Sequence, residues 1–560
     1  MEESRPKPSG ESEKPGAAGP AGSADGASEG HAIARGSGLF AAGTMVSRVL
    51  GLVRDILIVP LKGGVADAFL YALTVPNLAR QVFGEGALTH AFTPVYVERV
   101  SAGDARGASR TASVVLTWLL LVLGTAALLG SAVCYTLASG APATGEGRGL
   151  VLALIALMLP YMPLICAFAF LMAVLNSHRR FAPGALAPAL LNLCLIGVFV
   201  LRWPERAEAS IVWWLAGAVL LAGVLQPGVE IPFARAAGFR YRPSLDTSDP
   251  GFRKVVAALV TVAPAAVLFE LNVFIDRTMA IALVPGEGAV RALYAANRLA
   301  QLPMAVLGTA LATAALPIFS SQKARGDDKG LRESLTHAVR LAVFTLVPAG
   351  LLLAVCGRDV IRLLFERGAF TYEDTTRALR VLLFAAGGLA PLACAAVCAR
   401  VFFARRRMRP PAVFAAVAVG VNIALDLVLV HTPLREAGLA LASAIAAAVY
   451  LALLWGALAR EDASPVGAKV LGTLGRALLA GGAAMLAAHW TERSLPWDAP
   501  PGDLFVLAQR AIAPVLLGLV AYTLVASFFY EEGEMLRSVF PWRRRKKKAE
   551  EKDKNGKGRG

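Results

Sequence analysis

Between residues 39 and 530 the chain returns repeatedly to mostly apolar runs bounded by Arg, Gly or Pro. Each run reaches the roughly 20 residues that a helix needs to cross a bilayer. A chain built this way has few folds open to it. Most of it must face lipid or other apolar helices. About fourteen candidate helices follow, near 39–62, 66–98, 110–138, 150–175, 183–202, 210–234, 253–284, 290–320, 333–356, 376–404, 409–431, 437–459, 468–490 and 504–530. Charged residues make up 17% of the chain, below the quarter typical of soluble domains, and the mean hydropathy is +0.58. The fold class predicted is an all-α, multi-pass membrane protein.

The net charge of +16 would suggest nucleic acid in a soluble protein. Here the bases concentrate in alternate loops, which is a topology signal, and no nucleic-acid partner is expected. Loops after even-numbered helices carry Arg99, Arg106 and Arg110; Arg179 and Arg180; Arg235, Arg240, Arg242, Arg253 and Lys254; Lys323, Arg325, Lys329 and Arg332; and Arg405, Arg406, Arg407 and Arg409. Most odd-numbered loops carry one or two. The segment after helix nine departs from this, with Arg358, Arg362 and Arg367 offset by Asp359, Glu366, Glu373 and Asp374. Both termini are therefore expected in the cytoplasm, a parity that fourteen helices satisfy. Residues 1–38 read as a disordered tail and 533–560 as a basic tail that anchors topology or touches anionic lipid.

An internal repeat divides what lies between. Arg54 and Arg277 are 223 residues apart (277 − 54), and the same offset pairs Tyr71-Ala72 with Tyr294-Ala295, Pro94 with Pro317 and Gly103-Asp104 with Gly326-Asp327. Six helices separate the copies, so both point the same way. Parallel repeats in transporters enclose substrate between their halves. The expected organisation is an N-lobe at 39–236, a C-lobe at 237–460 and two added helices at 461–532.

Ionisable residues inside spans carry the functional information, because each costs about 2.5–3.5 kcal/mol at a helix centre and so faces a cavity or a partner. Helix one reads SRVLGLVRD, with Arg48 and Asp55 on one face and Arg54 beside Asp55. This is either an ion pair packing helices or a cavity wall that takes an anion. In helix two Asn77, Arg80 or Gln81, and Glu85 make one polar stripe. Asp67 stands at that helix's start, where it is a site residue or an N-terminal cap. Helix seven holds Glu270, Asp276 and Arg277; helix eight aligns Tyr294, Arg298 and Gln301 one turn apart. If the copies pack as two lobes, Arg48, Arg54, Arg277 and Arg298 converge, and guanidinium forks suit phosphate or carboxylate oxygens. Arg400 and Asp426 allow structural readings. No metal spacing or catalytic motif is present, and six scattered cysteines read as packing residues, so no cofactor, metal site or enzymatic activity is expected.

The runs TMVSRVLGLVRD (44–55) and ADAFLYALTVPNLARQVFGEGALTHAFTPVY (66–96) resemble the MurJ/MviN family signature. So do LNVFIDRTMA, YAANRLAQLPMAVLGTALATAALP, LLFERGAFTYEDT (363–375) and the stretch from RVFFARRRMRPP through VNIALDLVL to AGLALA. The likeness covers about residues 39–460. It implies the fold of the multidrug/oligosaccharidyl-lipid/polysaccharide exporter superfamily. The implied activity is movement of lipid II, the undecaprenyl-diphosphate-linked peptidoglycan precursor, from the inner to the outer leaflet. Positions matching Arg48, Arg54, Asp55, Asp67, Arg80, Glu85 and Arg298 are associated with function in that family, and helices 13–14 with a groove for the lipid tail. Membrane lipids and cell-wall synthesis proteins are its implied surroundings. Some members carry Glu where this chain has Gln301, so no carboxylate role transfers there. A flippase for another polyprenyl-linked oligosaccharide, a small-molecule antiporter of the superfamily and a non-transporting scaffold are the competing expectations.

Overall fold

The computed structural model describes residue 43 and residues 45–529, except 83–86, 141–145, 179, 181, 202–207 and 496–503; the side chains of 261–270 are also outside it. The two tails, Glu85 and the Glu270 side chain therefore lie outside the described residues. Within them the chain forms α1 (45–58), α2 (Gly63–Ala79), α3 (Ala87–Ser101), α4 (Ala105–Ser139), α5 (Glu146–Met158), α6 (Tyr161–Ser177), α7 (Ala182–Leu201), α8 (Glu208–Ala236) and α9 (Pro250–Leu283). It continues as α10 (Ala289–Pro303), α11 (Thr309–Ala324), α12 (Asp328–Phe365), α13 (Tyr372–Ala404), α14 (Arg409–Leu429), α15 (Glu436–Ala459), α16 (Gly467–Ser494) and α17 (Leu504–Phe528). No strand occurs among the described residues.

Nine spans among the described helices, with α10–α11 taken as one, or ten with the α5–α6 pair bent by 43° also counted as one, are long and apolar enough to cross a bilayer. Fourteen are not reached by that measure. The shortfall falls on α1, α2–α3, α7 and α9, which are short, interrupted, charged or partly undescribed. Leu121, Val122, Leu128 and Leu129 of α4 and Leu516, Leu517, Val520 and Leu524 of α17 are exposed. So much outward apolar surface along whole helices fits a lipid environment and not water.

The repeat is written in the backbone. Adding 223 to the bounds of α3 and α4 gives 310–324 and 328–362, against α11 and α12 as observed. Gly103 and Gly326 both adopt positive φ (78° and 70°), where a side chain would be strained. Asp104 and Asp327 then cap the next helix, accepting from the Gly107 and Gly330 N–H groups at 2.8 Å each. A π-helical turn interrupts the second member of each copy, at 80–82 and at Met304–Gly308. Such turns often mark functional places in helices. Asp327 is exposed, so Asp327→Ala should cost only its cap, about 1 kcal/mol, and lower the unfolding midpoint in detergent slightly. A loss above about 3 kcal/mol would show that the residue does more than a cap.

Helices α2–α8 pack among themselves, as do α9–α15, with α9 crossing to meet α2, α3 and α4, and α10 to meet α2. α16 and α17 pack on α12 and on each other. The α16 face they use is a small-residue stripe of Ala477, Ala480, Gly481, Ala484 and Ala488, which lets helices approach closely where lipid offers no hydrophobic drive. Arg510 of α17 is buried with its Nε 3.5 Å from Asp359 Oδ2 of α12.

Candidate functional site

Between the repeat copies lies a cavity of about 420 Å³. α1, α2, α6, α7, α8, α9 and α10 all contribute to its wall. Five arginines line it: Arg48, Arg54, Arg80, Arg277 and Arg298. Asn77, Gln81, Asn192, Gln226, Asn297 and Gln301 add amides, and Tyr161, Tyr294 and Phe274 add rings.

Arg54 is the hub. Its Nη2 donates to Asp55 Oδ1 at 2.6 Å and to the Tyr294 hydroxyl at 3.0 Å, and its Nη1 donates to Asn192 Oδ1 at 2.9 Å. The Tyr294 hydroxyl donates to Asp55 Oδ1 at 2.8 Å, and Arg298 Nε lies 2.7 Å from Asp55 Oδ2. One buried carboxylate, 1% exposed, thus serves two guanidiniums from opposite repeat copies. Gly51 makes this possible, since a Cβ there would stand 2.9 Å from Arg298 Nη2. Asn192 of α7 also donates to the Ser47 carbonyl at 3.0 Å, fixing the amide that orients Arg54.

Arg277 donates to Thr74 Oγ1 at 2.5 Å and sits 5.5 Å above the Tyr294 ring. Its neighbour Asp276 turns away, accepting from Ser443 Oγ at 3.0 Å and from Asn422 Nδ2 at 3.1 Å. Asn422 also donates to Asp426 at 2.5 Å. Asp276 and Asp426 therefore belong to a separate buried cluster of α9, α14 and α15. Among the described residues Arg48 has no acidic partner, and Arg80 donates to Asn77 Oδ1 at 3.5 Å. Among the described residues the lining holds five guanidiniums and no carboxylate, with Asp55 directly behind it, which gives the chamber a positive character. Such a chamber suits an anion with several oxygens, because charge-assisted and bidentate bonds are the strong ones.

Of the residues singled out in sequence, Arg48, Arg54, Asn77, Arg80, Arg277, Arg298 and Gln301 share this wall, with Asp55 immediately behind it. Asp67 does not. It lies at the opposite end of α2, and it caps a different helix from the one expected. Its oxygens accept from the Gly288 N–H at 2.6 Å and the Arg291 N–H at 2.7 Å, at the start of α10. A carboxylate there meets the positive end of that helix. Arg291 also donates to the Leu61 carbonyl at 3.0 Å and to Asp374 Oδ2 at 2.8 Å. Gly64 N–H donates to Glu287 Oε2 at 2.7 Å beside it. Asp67 is thus part of a clasp between the α1–α2 turn and the α9–α10 turn.

Sequence reasoning missed Asn192, Thr74, Asn297, Gln226 and Tyr161. Asn192 carried a readable signal, a lone amide inside the apolar run ALLNLCLIG. The others differ too little from packing residues to stand out. Arg400 lies over Phe403 at 5.5 Å, outside the cavity, in keeping with its structural reading.

The family model described as lipid II flippase MurJ matches residues 62–498. The chain belongs to the MurJ family. A Vibrio cholerae protein named probable lipid II flippase MurJ is 30% identical over 466 residues, which cover 81% of this chain and 88% of that protein. The Burkholderia cenocepacia lipid II flippase MurJ is 31% identical over 424 residues, 74% of this chain and 81% of its own length. A solved structure of lipid II flippase MurJ in an inward closed conformation superposes with a TM-score of 0.70 at 22% identity, over 88% of this chain and 99% of that one. An inward-facing MATE family multidrug transporter of the MOP superfamily superposes at 0.62 with 14% identity, over 76% and 98%. These superpositions fix the fold as that of the MurJ and MOP transporters.

Proposed function

We propose that this chain is a lipid II flippase of the bacterial inner membrane, with both termini cytoplasmic. It moves the undecaprenyl-diphosphate-linked precursor from the inner to the outer leaflet by alternating access of an N-lobe (39–236) and a C-lobe (237–460). The observation that carries this reading is the convergence of Arg48, Arg54, Arg80, Arg277 and Arg298 on one cavity at the repeat junction. The diphosphate docks on Arg48, Arg54 and Arg298, entering from the end where the basic loops lie. Asp55 holds Arg54 and Arg298 while the site is empty, and incoming phosphate oxygens compete for the same forks. Asn77, Gln81, Asn297 and Gln301 offer donors and acceptors to sugars and peptide. The lipid chain trails between the lobes toward α16 and α17, which extend the apolar wall beyond α12. Fourteen spans complete the topology, with the interrupted helices counted as crossings.

Export of an anion from a negative interior gains about 2.3 kcal/mol per charge per 100 mV, so membrane potential favours the outward step. The family-wide competitor, a carrier of another polyprenyl-linked oligosaccharide, shares this chamber. The experiment that separates them depletes the resident flippase of a test bacterium, expresses this chain, and measures lipid II exposure at the outer leaflet. Exposure restored together with growth is the expected result. Growth that stays arrested while the chain is fully inserted would reject the lipid II assignment.

A further inference from the structure

A second cavity, of about 640 Å³, lies on the basic-loop side of the N-terminal repeat copy and away from the transport chamber. Leu116 and Leu120 of α4, Ala167 and Leu171 of α6, and Pro227 and Ile231 of α8 form an apolar well. Ile231 is 39% exposed, so the well opens sideways toward lipid. Its mouth is different in kind. Arg235, Arg240 and Arg242, with Tyr241, close around it.

Arg235 sits in the last turn of α8, and Arg240 and Arg242 are held there by a strap of chain after it. Arg240, Arg242 and Ser244 donate their backbone N–H groups to Ser109 Oγ at 3.3 Å, Ser113 Oγ at 3.1 Å and Thr117 Oγ1 at 3.2 Å. The Tyr241 hydroxyl lies 3.1 Å from Thr117 Oγ1. The fit comes from matching periods. Alternate residues of an extended chain are about 6.6 Å apart. Hydroxyls four residues apart on a helix are about 6 Å apart. A hydroxyl stripe on α4 thus pins an extended segment against it.

The charges at this mouth are also unlike their neighbours. Arg99, Arg110 and Lys254 of the same face are paired with Asp249, Asp246 and Glu98. Arg235, Arg240 and Arg242 are exposed and have no acidic partner among the described residues. A well of aliphatic side chains capped by three uncompensated guanidiniums at a membrane boundary is complementary to one kind of molecule, a phosphate carried on acyl chains. We propose that this cavity is a binding site for an anionic phospholipid of the leaflet on the basic-loop side, distinct from the transport chamber. Basic pockets between spanning helices recognise such headgroups, and three forks are enough for a phosphodiester. The site does not depend on lipid II being the transported substrate.

The test is native mass spectrometry of the full chain in mild detergent, titrated with phosphatidylglycerol or phosphatidylcholine. Wild type should retain phosphatidylglycerol at least about fivefold better, the discrimination that a single surface base supplies. Arg235→Gln, Arg240→Gln and Arg242→Gln combined should abolish the preference; these side chains are exposed and have no acidic partner among the described residues, so folding is spared. Lys546→Gln, Lys547→Gln and Lys548→Gln, which remove equal charge from the tail, should keep it. Leu120→Trp, which fills the well and leaves every charge, should lower retention as well. The proposal is overturned if the arginine variant matches wild type, if the tail variant loses as much, or if Leu120→Trp changes nothing. Displacement of phosphatidylglycerol by an equimolar polyprenyl diphosphate would also overturn it, since the site would then serve the substrate and not the bilayer.

Discussion

Arg54→Ala and Arg298→Ala should each insert at the wild-type level and fail to support growth when this chain is the only flippase in the cell. Arg54 makes charge-assisted bonds to Asp55 and further bonds to Asn192 and Tyr294, all within the cavity wall. Removing the guanidinium deletes two donors from the anion site, each worth about 1.5–3 kcal/mol toward a charged partner. It also leaves the Asp55 carboxylate buried with half of its compensation gone, so the local field turns toward repelling phosphate. Together these weaken diphosphate binding by more than about 100-fold, at 1.4 kcal/mol per tenfold. Arg54→Lys keeps the charge but loses the fork, and so should retain partial growth. Alanine variants that grow normally, with immunoblots showing normal membrane levels, would remove the central role given to this cluster. Arg→Ala variants that vanish from the membrane would instead reveal a packing role, and the lysine variant distinguishes the two.

Much of this site was legible before any coordinates. Arginine in an apolar run is costly enough that its position alone implies a cavity or partner, and Arg48, Arg54, Arg80, Arg277 and Arg298 share one wall. The repeat offset was equally readable, because Gly103-Asp104 and Gly326-Asp327 do the same backbone job twice, a positive φ followed by a cap. What sequence could not give was partnership across the repeat. Asp55 sits next to Arg54 in the chain, yet its second oxygen faces Arg298, which is 243 residues further along (298 − 55). Asp67 shows the same gap in another form. Helix-start logic suggested a cap of its own helix, because caps are judged from local sequence, whereas this carboxylate crosses to cap a helix more than 200 residues away. The interruptions in α2–α3 and α10–α11 also escaped, since π turns leave no strong mark in hydropathy.

The clasp around Asp67 should contribute strongly to stability, and also act as a gate. Arg291 is 6% exposed and joins three chain segments: it donates to the Leu61 carbonyl, to the Ala369 carbonyl and to Asp374. Asp374 is itself committed to the capping box that starts α13. Arg291→Ala leaves that carboxylate buried without its ion-pair partner, and breaking a buried pair costs about 3–5 kcal/mol. Thermal unfolding in detergent should show a large loss, with Asp374→Ala giving a similar one and the double variant far less than their sum. Additive losses would mean that the two residues are not coupled. Asp67→Asn is milder, because the amide still accepts one N–H from the start of α10 but presents its NH₂ to the other. The loss of one charge-assisted bond, about 1.5 kcal/mol, loosens the junction between the first and second repeat copies without unfolding either. On the proposed topology this junction faces outward, so the variant should open the chamber to that side more often. A cysteine at the cavity position Asn77, in a background with the six native cysteines replaced by alanine, reports this through an impermeant thiol reagent added outside. Labelling should rise about tenfold in Asp67→Asn, the factor that 1.4 kcal/mol gives. Unchanged labelling would mean that the clasp holds the fold without governing access.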